Sequence, residues 1–392
     1  MNKVVYPFLF VLFLFSCSSG DSCEEGDPSC EQVVFDSLAY YDSVYAPFRF
    51  TIDTFFRNRC DRKEFNGNVL VAIRGHIVIQ QSYGATSPGG NDSLNLNHRF
   101  QLASGSKPFT AAAILLLRDQ GKLSLDDTIS KYLDSLPYPG ITIRMLLNHR
   151  GGLSNYNYFA DDYWTDKSKP ICNDGVLKIL REQQPKAYYP PNTKFDYSNT
   201  GYALLASIVE SVSGKAFGDF MTESVFSPLG MKNSVIYDKC KGDVIDSALN
   251  GYDWKGRLIE DHYQNGVTGD KGMYSTVGDL YLFSEAIRTG KLLSKQSWKE
   301  AFEPQHSEEE LKGKDNYGLG WRLKNSFAGY TVVYHTGWWK GFRSWFIRNT
   351  TLDHTIIVLD NIKRNRFLSV EELLDLTDGG TFAQDSLMLN LE

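Results

Sequence analysis

Hydrophobic and polar positions along this chain change period several times. Residues 65–84, FNGNVLVAIRGHIVIQQSYG, hold two β-rich runs on either side of Arg74-Gly75-His76. Such a pair of runs around a glycine predicts a hairpin with Gly75 in its turn. From 104 to 120 the spacing becomes helical, SGSKPFTAAAILLLRDQ, with Pro108 in the first turn and Gly121 as a stop. That segment is apolar over most of its surface, which predicts a central, buried helix. Residues 123–152 alternate short helical runs with turns, and 201–214 and 216–226 are helical again. A glycine-rich loop within 266–276 feeds a further helix at Val277. Near the end the period falls to two: 331–334, 342–348 and 355–360 predict three antiparallel strands, and 370–374 begins a closing helix.

Strands therefore stand at both ends and helices in the middle. The expected fold class is α/β (α+β): an antiparallel sheet built from N- and C-terminal strands, flanked by helices, with an inserted helical subdomain. No repeat or linker interrupts residues 60–375, so 46–392 is read as one unit.

The amino end has its own pattern. Lys3 precedes an apolar run over 4–15 that is too short to span a bilayer. It reads as a secretory signal peptide, residues 1–16, ending in Leu14-Phe15-Ser16-Cys17. That ending resembles the lipobox of bacterial lipoproteins, which implies lipidation of Cys17 and attachment to a membrane. The alternatives are cleavage without lipidation and a short uncleaved anchor. Residues 17–45 are expected to be an acidic, flexible tether. Asp21, Glu24, Glu25 and Asp27 resemble a surface-export signal of some lipoproteins; a solvated spacer is the other reading. The expected location is an exported lipoprotein, facing the periplasm or on the cell surface.

Composition narrows the function classes. Charged residues make up 22% and the net charge is −6, so there is no basic excess for nucleic acid. Six cysteines are present. With Cys17 set aside, Cys23, Cys30, Cys60, Cys172 and Cys240 remain; the odd number leaves at least one thiol free or paired between chains, and the pairing stays open. Cys23 and Cys30 are spaced for a local loop. Neither the cysteines nor the seven His show metal-ligand spacing, so no metal is expected.

Three short motifs carry candidate chemistry. In Ser104-Gly105-Ser106-Lys107, helical spacing lets the Ser hydroxyl meet the Lys amine. Serine needs a base to become a nucleophile, and a desolvated lysine is one. At the helix start, N–H groups also face a developing oxyanion. In Tyr197-Ser198-Asn199 the Tyr oxygen can shuttle a proton and the Asn amide can bind a substrate amide. His335-Thr336-Gly337 stands at the end of the strand YTVVY, where Gly lets substrate lie against the strand edge. The next N–H, of Trp338, can complete an oxyanion hole with that of Ser104.

In this order the three motifs resemble SxxK, YxN and K/H-T-G of the serine β-lactamase and penicillin-binding protein superfamily, in its class C-like branch. FNGNVLVAIRGHIVI, HRFQLASGSKPFTAAAILLL, ITIRMLLNHRGGLSNY, PNTKFDYSNTGYALLASIVESVSG, FSPLGMKNS, GDKGMYSTVGDLYLF and YGLGW extend the likeness over residues 60–362. The resemblance implies that Ser104 becomes acylated, that Lys107 and Tyr197 share the proton work, and that Asn199 orients the substrate. It implies that His335, Thr336 and Gly337 line the edge strand, that the N–H of Trp338 helps hold the oxyanion, and that no cofactor is needed.

This chain departs from class C β-lactamases in two places. His335 replaces the usual Lys, and a neutral His holds a carboxylate less well. Trp338-Trp339 replaces smaller residues, giving the cleft an aromatic wall or covering the sheet edge. Lys340 and Arg343 are candidates for the missing charge. His149 is expected to be structural. The reading is an exported serine hydrolase of an amide or ester, of D,D-peptidase, D-aminopeptidase or esterase type. The alternatives are a class C-type β-lactamase and a binding lipoprotein that does not turn over.

Overall fold

In a computed structural model, residues 37–242, 244–325, 329–363 and 368–377 are described. The expected signal peptide, Cys17, Cys23 and Cys30 lie outside them. The chain divides into two units, 1–43 and 44–392, and the second holds the sheets and all three motifs. Among the described residues no helix is long and apolar enough to cross a membrane.

The predicted hairpin is β1 (Gly67–Ile73) and β2 (His76–Tyr83). Arg74 and Gly75 both have positive φ, 49° and 79°, the two-residue turn that matches strand twist. The late strands are β8 (Thr331–Trp339), β9 (Phe342–Asn349) and β10 (His354–Asp360). They join the hairpin in one seven-stranded sheet of order β2-β1-β10-β9-β8-β7-β6, with β6 at Asn316–Tyr317 and β7 at Arg322–Asn325. The two ends of the unit meet antiparallel, from Gly67 opposite Asp360 to Ile73 opposite His354. Every residue of β1 and β10 is buried, which explains their near-continuous apolar runs.

One face of the hairpin is covered by the 44–61 part of α1 (Ser37–Asp61), whose Phe56 ring lies 5.0 Å from that of Phe65 and 5.8 Å from that of Tyr83. This helix begins inside the segment expected to be a flexible tether. Its Ile52 and Phe56 are buried, so packing against the sheet outweighs the internal Pro47.

The helical layer centres on α2 (Lys107–Asp119) and α3 (Asn199–Ser213). Ten of the thirteen residues of α2 are buried, as its apolar surface predicted. The helix is shorter than expected, because Ala103–Ser106 form a 3₁₀ turn ahead of it. The Val277 helix is α4 (Val277–Thr289), entered through Thr276, whose hydroxyl caps the N–H of Asp279. A second, small sheet runs β3 (Phe100–Gln101), β5 (Met273–Ser275), β4 (Val235–Ile236) and was not foreseen. A disulfide joins Cys172 to Cys240, and Cys60 is a free thiol.

Candidate active site

The turn carrying Ser104 is clamped from three sides. Leu102 N–H donates to Met273 O at 2.8 Å, extending the small sheet, and Met273 N–H donates to Ser106 Oγ at 3.2 Å. The Leu102 carbonyl accepts Gly105 N–H at 2.9 Å and the Ser344 hydroxyl, from β9, at 2.7 Å. Between them Ala103 is held at φ 51°, a left-handed conformation that a residue with a Cβ adopts only at a cost. The turn lies directly against β8. A Cβ on Gly337 would stand 1.9 Å from Leu102 O and 3.0 Å from Gly105 N, so only glycine permits this approach. The HTG triplet lies inside β8, not at its end: the strand runs on through Trp339.

Lys107 is wholly buried at the first residue of α2. Its amine donates to Ser104 Oγ at 3.0 Å, to Asn199 Oδ1 at 2.7 Å and to Asp270 O at 3.0 Å. Three acceptors surround the amine, which offsets the cost of burying it. The amine also stands 4.9 Å from the centre of the Tyr197 ring and 5.4 Å from that of Tyr202. Residues from the first two motifs therefore converge on one amine.

Tyr197 is fixed by packing. The His149 ring lies on it, centres 4.2 Å apart, while His149 Nδ1 accepts Ser198 N–H at 3.2 Å. Burial, with Lys107 and His335 nearby, pushes His149 well below the ordinary histidine range. A neutral ring stacked on Tyr197 is a wall.

His335 is buried too. Its Nδ1 reaches Thr336 O at 2.8 Å, so that nitrogen carries the proton, and Nε2 accepts from the Tyr317 hydroxyl at 3.1 Å. Burial, then Arg322, then Lys107 hold it well below the usual range. His335 is thus neutral and offers no cation. Arg343, one of the charges considered in its place, is buried at 2% exposure and does not reach a cleft.

The cation is Arg322, which sequence reasoning missed. It sits on β7 opposite Tyr334, one residue before His335, and its guanidinium lies 5.4 Å from the Tyr197 ring centre. Among the described residues it has no carboxylate partner. The signal available was its place directly after the YGLGW stretch.

On the other side of Asn199 a relay of amides follows. Asn199 Nδ2 donates to Asn157 Oδ1 at 2.6 Å, and Asn157 Nδ2 donates to Gln264 Oε1 at 3.0 Å. Beneath it Tyr156 donates to Asp270 Oδ2 at 2.9 Å, and Lys271 donates to Tyr156. Burial pushes Lys271 down to about 8, with Asp270 opposing. Asn157, Gln264, Asp270 and Lys271 were not singled out as site residues; the GDKG loop entered only as a helix lead-in and as part of the family likeness.

The two tryptophans diverge, as neighbours on a strand must. Trp338 is 55% exposed, while Trp339 donates from its indole N–H to Asn265 Oδ1 at 2.6 Å. Both residues line a cleft of about 400 Å³ with Asn157, Asp161, His262, Gln264, Lys340 and Lys363. Among the described residues no group of three or more His, Cys, Asp or Glu is arranged to hold a metal ion.

The family profile described as Beta-lactamase matches residues 52–376. The chain belongs to the beta-lactamase family. It is 35% identical over 324 residues to penicillin-binding protein 4* of Bacillus subtilis (strain 168), covering 79% of this chain and 71% of that one. It is 28% identical to the putative penicillin-binding protein PbpX of the same organism, covering 69% of each. A penicillin-binding protein from Bacillus halodurans superposes with a TM-score of 0.70 at 26% identity, over 79% of this chain and 96% of that one. D-amino acid amidase from Ochrobactrum anthropi SV3 shares the fold, with a TM-score of 0.71 at 21% identity, over 87% and 99%. This beta-lactamase family member is therefore built on a serine-hydrolase fold shared with penicillin-binding proteins. The resemblance read from the motifs and the expected fold class both hold.

Proposed function

We propose that this protein hydrolyses an amide or ester through an acyl intermediate on Ser104, and that its substrate ends in a carboxylate. The observation that carries the reading is one amine, Lys107, bonded to both Ser104 Oγ and Asn199 Oδ1, with the Arg322 guanidinium across Tyr197. Ser104 Oγ attacks the carbonyl carbon as its proton passes to the Lys107–Tyr197 pair. The N–H groups of Ser104 and Trp338 hold the oxyanion. As the tetrahedral adduct collapses, the C–N or C–O bond breaks and the leaving group takes a proton from Tyr197. Water, giving its proton to the same pair, then attacks the ester on Ser104; the acyl–oxygen bond breaks, and Ser104 Oγ takes that proton back as the acid leaves. Asn199 orients the substrate amide beside Thr336 and Gly337.

A neutral His335 with Arg322 beside it favours D,D-carboxypeptidase or D-amino acid amidase chemistry over β-lactam resistance: a guanidinium can grip a terminal carboxylate by two bonds. We further propose export, with Cys17 lipidated. A disulfide at Cys172–Cys240 supports an oxidising compartment.

The test is intact-mass analysis with N-acyl-D-Ala-D-Ala, a neutral ester and a β-lactam. A mass gain on the wild type that is absent from Ser104→Ala and decays with product release is expected. A gain retained in Ser104→Ala, or no gain with any reagent, refutes the reading.

A further inference from the structure

The direction of a substrate along β8 follows from three contacts. The nucleophile turn abuts the strand at Gly337. Arg322 joins it at Tyr334, on the upstream side. Trp338, Trp339 and Lys340 continue on the downstream side. Resting on the hydrolase reading above, a substrate with its carboxylate at Arg322 sends its acyl portion into the cleft beyond Trp338.

That cleft holds two lysines, each set over an indole, and one acid, Asp161. Lys363 Nζ lies 5.6 Å from the Trp338 ring centre, and Lys340 Nζ lies 5.6 Å from that of Trp339. Among the described residues neither lysine has a carboxylate within ion-pair distance. The acids that act on Lys340 are already engaged. Asp161 accepts from the Tyr263 hydroxyl at 2.6 Å and pairs with Lys167 at 3.4 Å, and Asp261 is held by Lys239 and Asn265. His262, the remaining titratable neighbour, is held below its usual range by burial and then by Lys340. Burial and then Lys363 also lower Lys340, as two ammonium groups that share a space must.

We infer that the Trp338–Trp339 cleft is an acyl-side subsite that selects acyl groups carrying a carboxylate, which Lys340 and Lys363 receive together. An anion between the lysines relieves their mutual repulsion. The indole faces cover the carbon chain that leads to it. The substrate class is thus an acidic acyl-D-amino acid, with one negative charge at each end and the scissile bond between.

The test compares kcat/KM for N-succinyl-, N-acetyl- and N-glycyl-D-Ala-D-Ala at low salt and at high salt. Succinyl should exceed acetyl by about tenfold at low salt, and glycyl should fall below acetyl. High salt should shrink the preference. In Lys340→Gln/Lys363→Gln the succinyl-to-acetyl ratio should fall to about one. Trp338→Ala should raise KM more than it lowers kcat. Binding of the succinyl peptide to Ser104→Ala, followed by indole quenching, gives the same comparison without turnover. Turnover of acetyl and succinyl substrates at equal kcat/KM, or a ratio unchanged in the double variant, overturns the subsite and leaves the hydrolase reading intact. Failure of every substrate to acylate Ser104 overturns both.

Discussion

Gly337→Ala tests whether β8 and the Ser104 turn are locked together. The added carbon would meet Leu102 O at 1.9 Å, Ser344 Oγ at 2.5 Å and Gly105 N at 3.0 Å. Two of these are backbone atoms, so no side-chain rotation relieves the clash. Normal contact requires the turn and strand to separate by about 1.5 Å. The stability effect is that of overpacking, about 1–3 kcal/mol. At about 2–4 °C per kcal/mol, Tm should fall by roughly 2–12 °C. The effect on rate should be larger. Ser104 is two residues from the displaced carbonyl, and a 1 Å misplacement at a reacting centre costs about 10²-fold. The assay is the acylation rate of a folded variant, beside Gly218→Ala as a control. At Gly218 the nearest atoms would lie at 3.6 and 3.7 Å, ordinary contact, and both readouts should stay close to wild type. A Gly337→Ala protein that acylates within about twofold of wild type, a barrier change of under half a kcal/mol, would refute the reasoning.

Arg322→Gln should lower kcat/KM on substrates with a terminal carboxylate by about 10–100-fold and leave a neutral ester little changed, the size of one charged hydrogen-bond set; equal losses on both would remove Arg322 from carboxylate recognition. Reducing Cys172–Cys240, or replacing both with Ser, opens a loop of 68 residues. Chain entropy sets the loss at about 4 kcal/mol, so an unchanged Tm in reductant would contradict it. The protein should also lose stability in acid. Burial and then Arg150 push His306 down to about 4, whereas an unfolded histidine titrates near 6.5. Between those values the unfolded chain binds more protons, so stability is full above pH 6.5 and falls as pH drops toward 4, by about 3 kcal/mol from this residue. Urea unfolding at pH 7 and pH 4.5 should show a smaller difference in His306→Gln.

What could be read in advance was what is local. The β1–β2 hairpin and α2 announce themselves through period, a turn glycine and a run of alanines. Ser104 and Lys107 are three residues apart, so their contact needs only one helical turn. Asn199 joined them only through the family resemblance, since no spacing rule links positions ninety residues apart. Arg322 was not legible, because it follows a quoted stretch without belonging to it, and Asp270 and Tyr156 stood in quoted stretches that gave them no role, because each reaches the site from a separate element. The Cys172–Cys240 pairing was left open for the same reason: connectivity depends on where 68 intervening residues go. Placing HTG at a strand end hid a further regularity. Once β8 is known to continue to Trp339, alternation predicts that its two indoles point apart while both residues border the same cleft.

The pairing of β1 with β10 has a consequence in time. Ribosomes deliver Ser104 and Lys107 early, but the strand they work against arrives more than two hundred residues later, and the sheet closes only when Asp360 meets Gly67. Such distant pairings form late and slowly. A chain stalled or clipped before β8 carries Ser104 with no strand beside it and no His335 flank. Synthesis order thereby keeps Ser104, the proposed nucleophile, apart from its partner strand until the last part of the sheet is made.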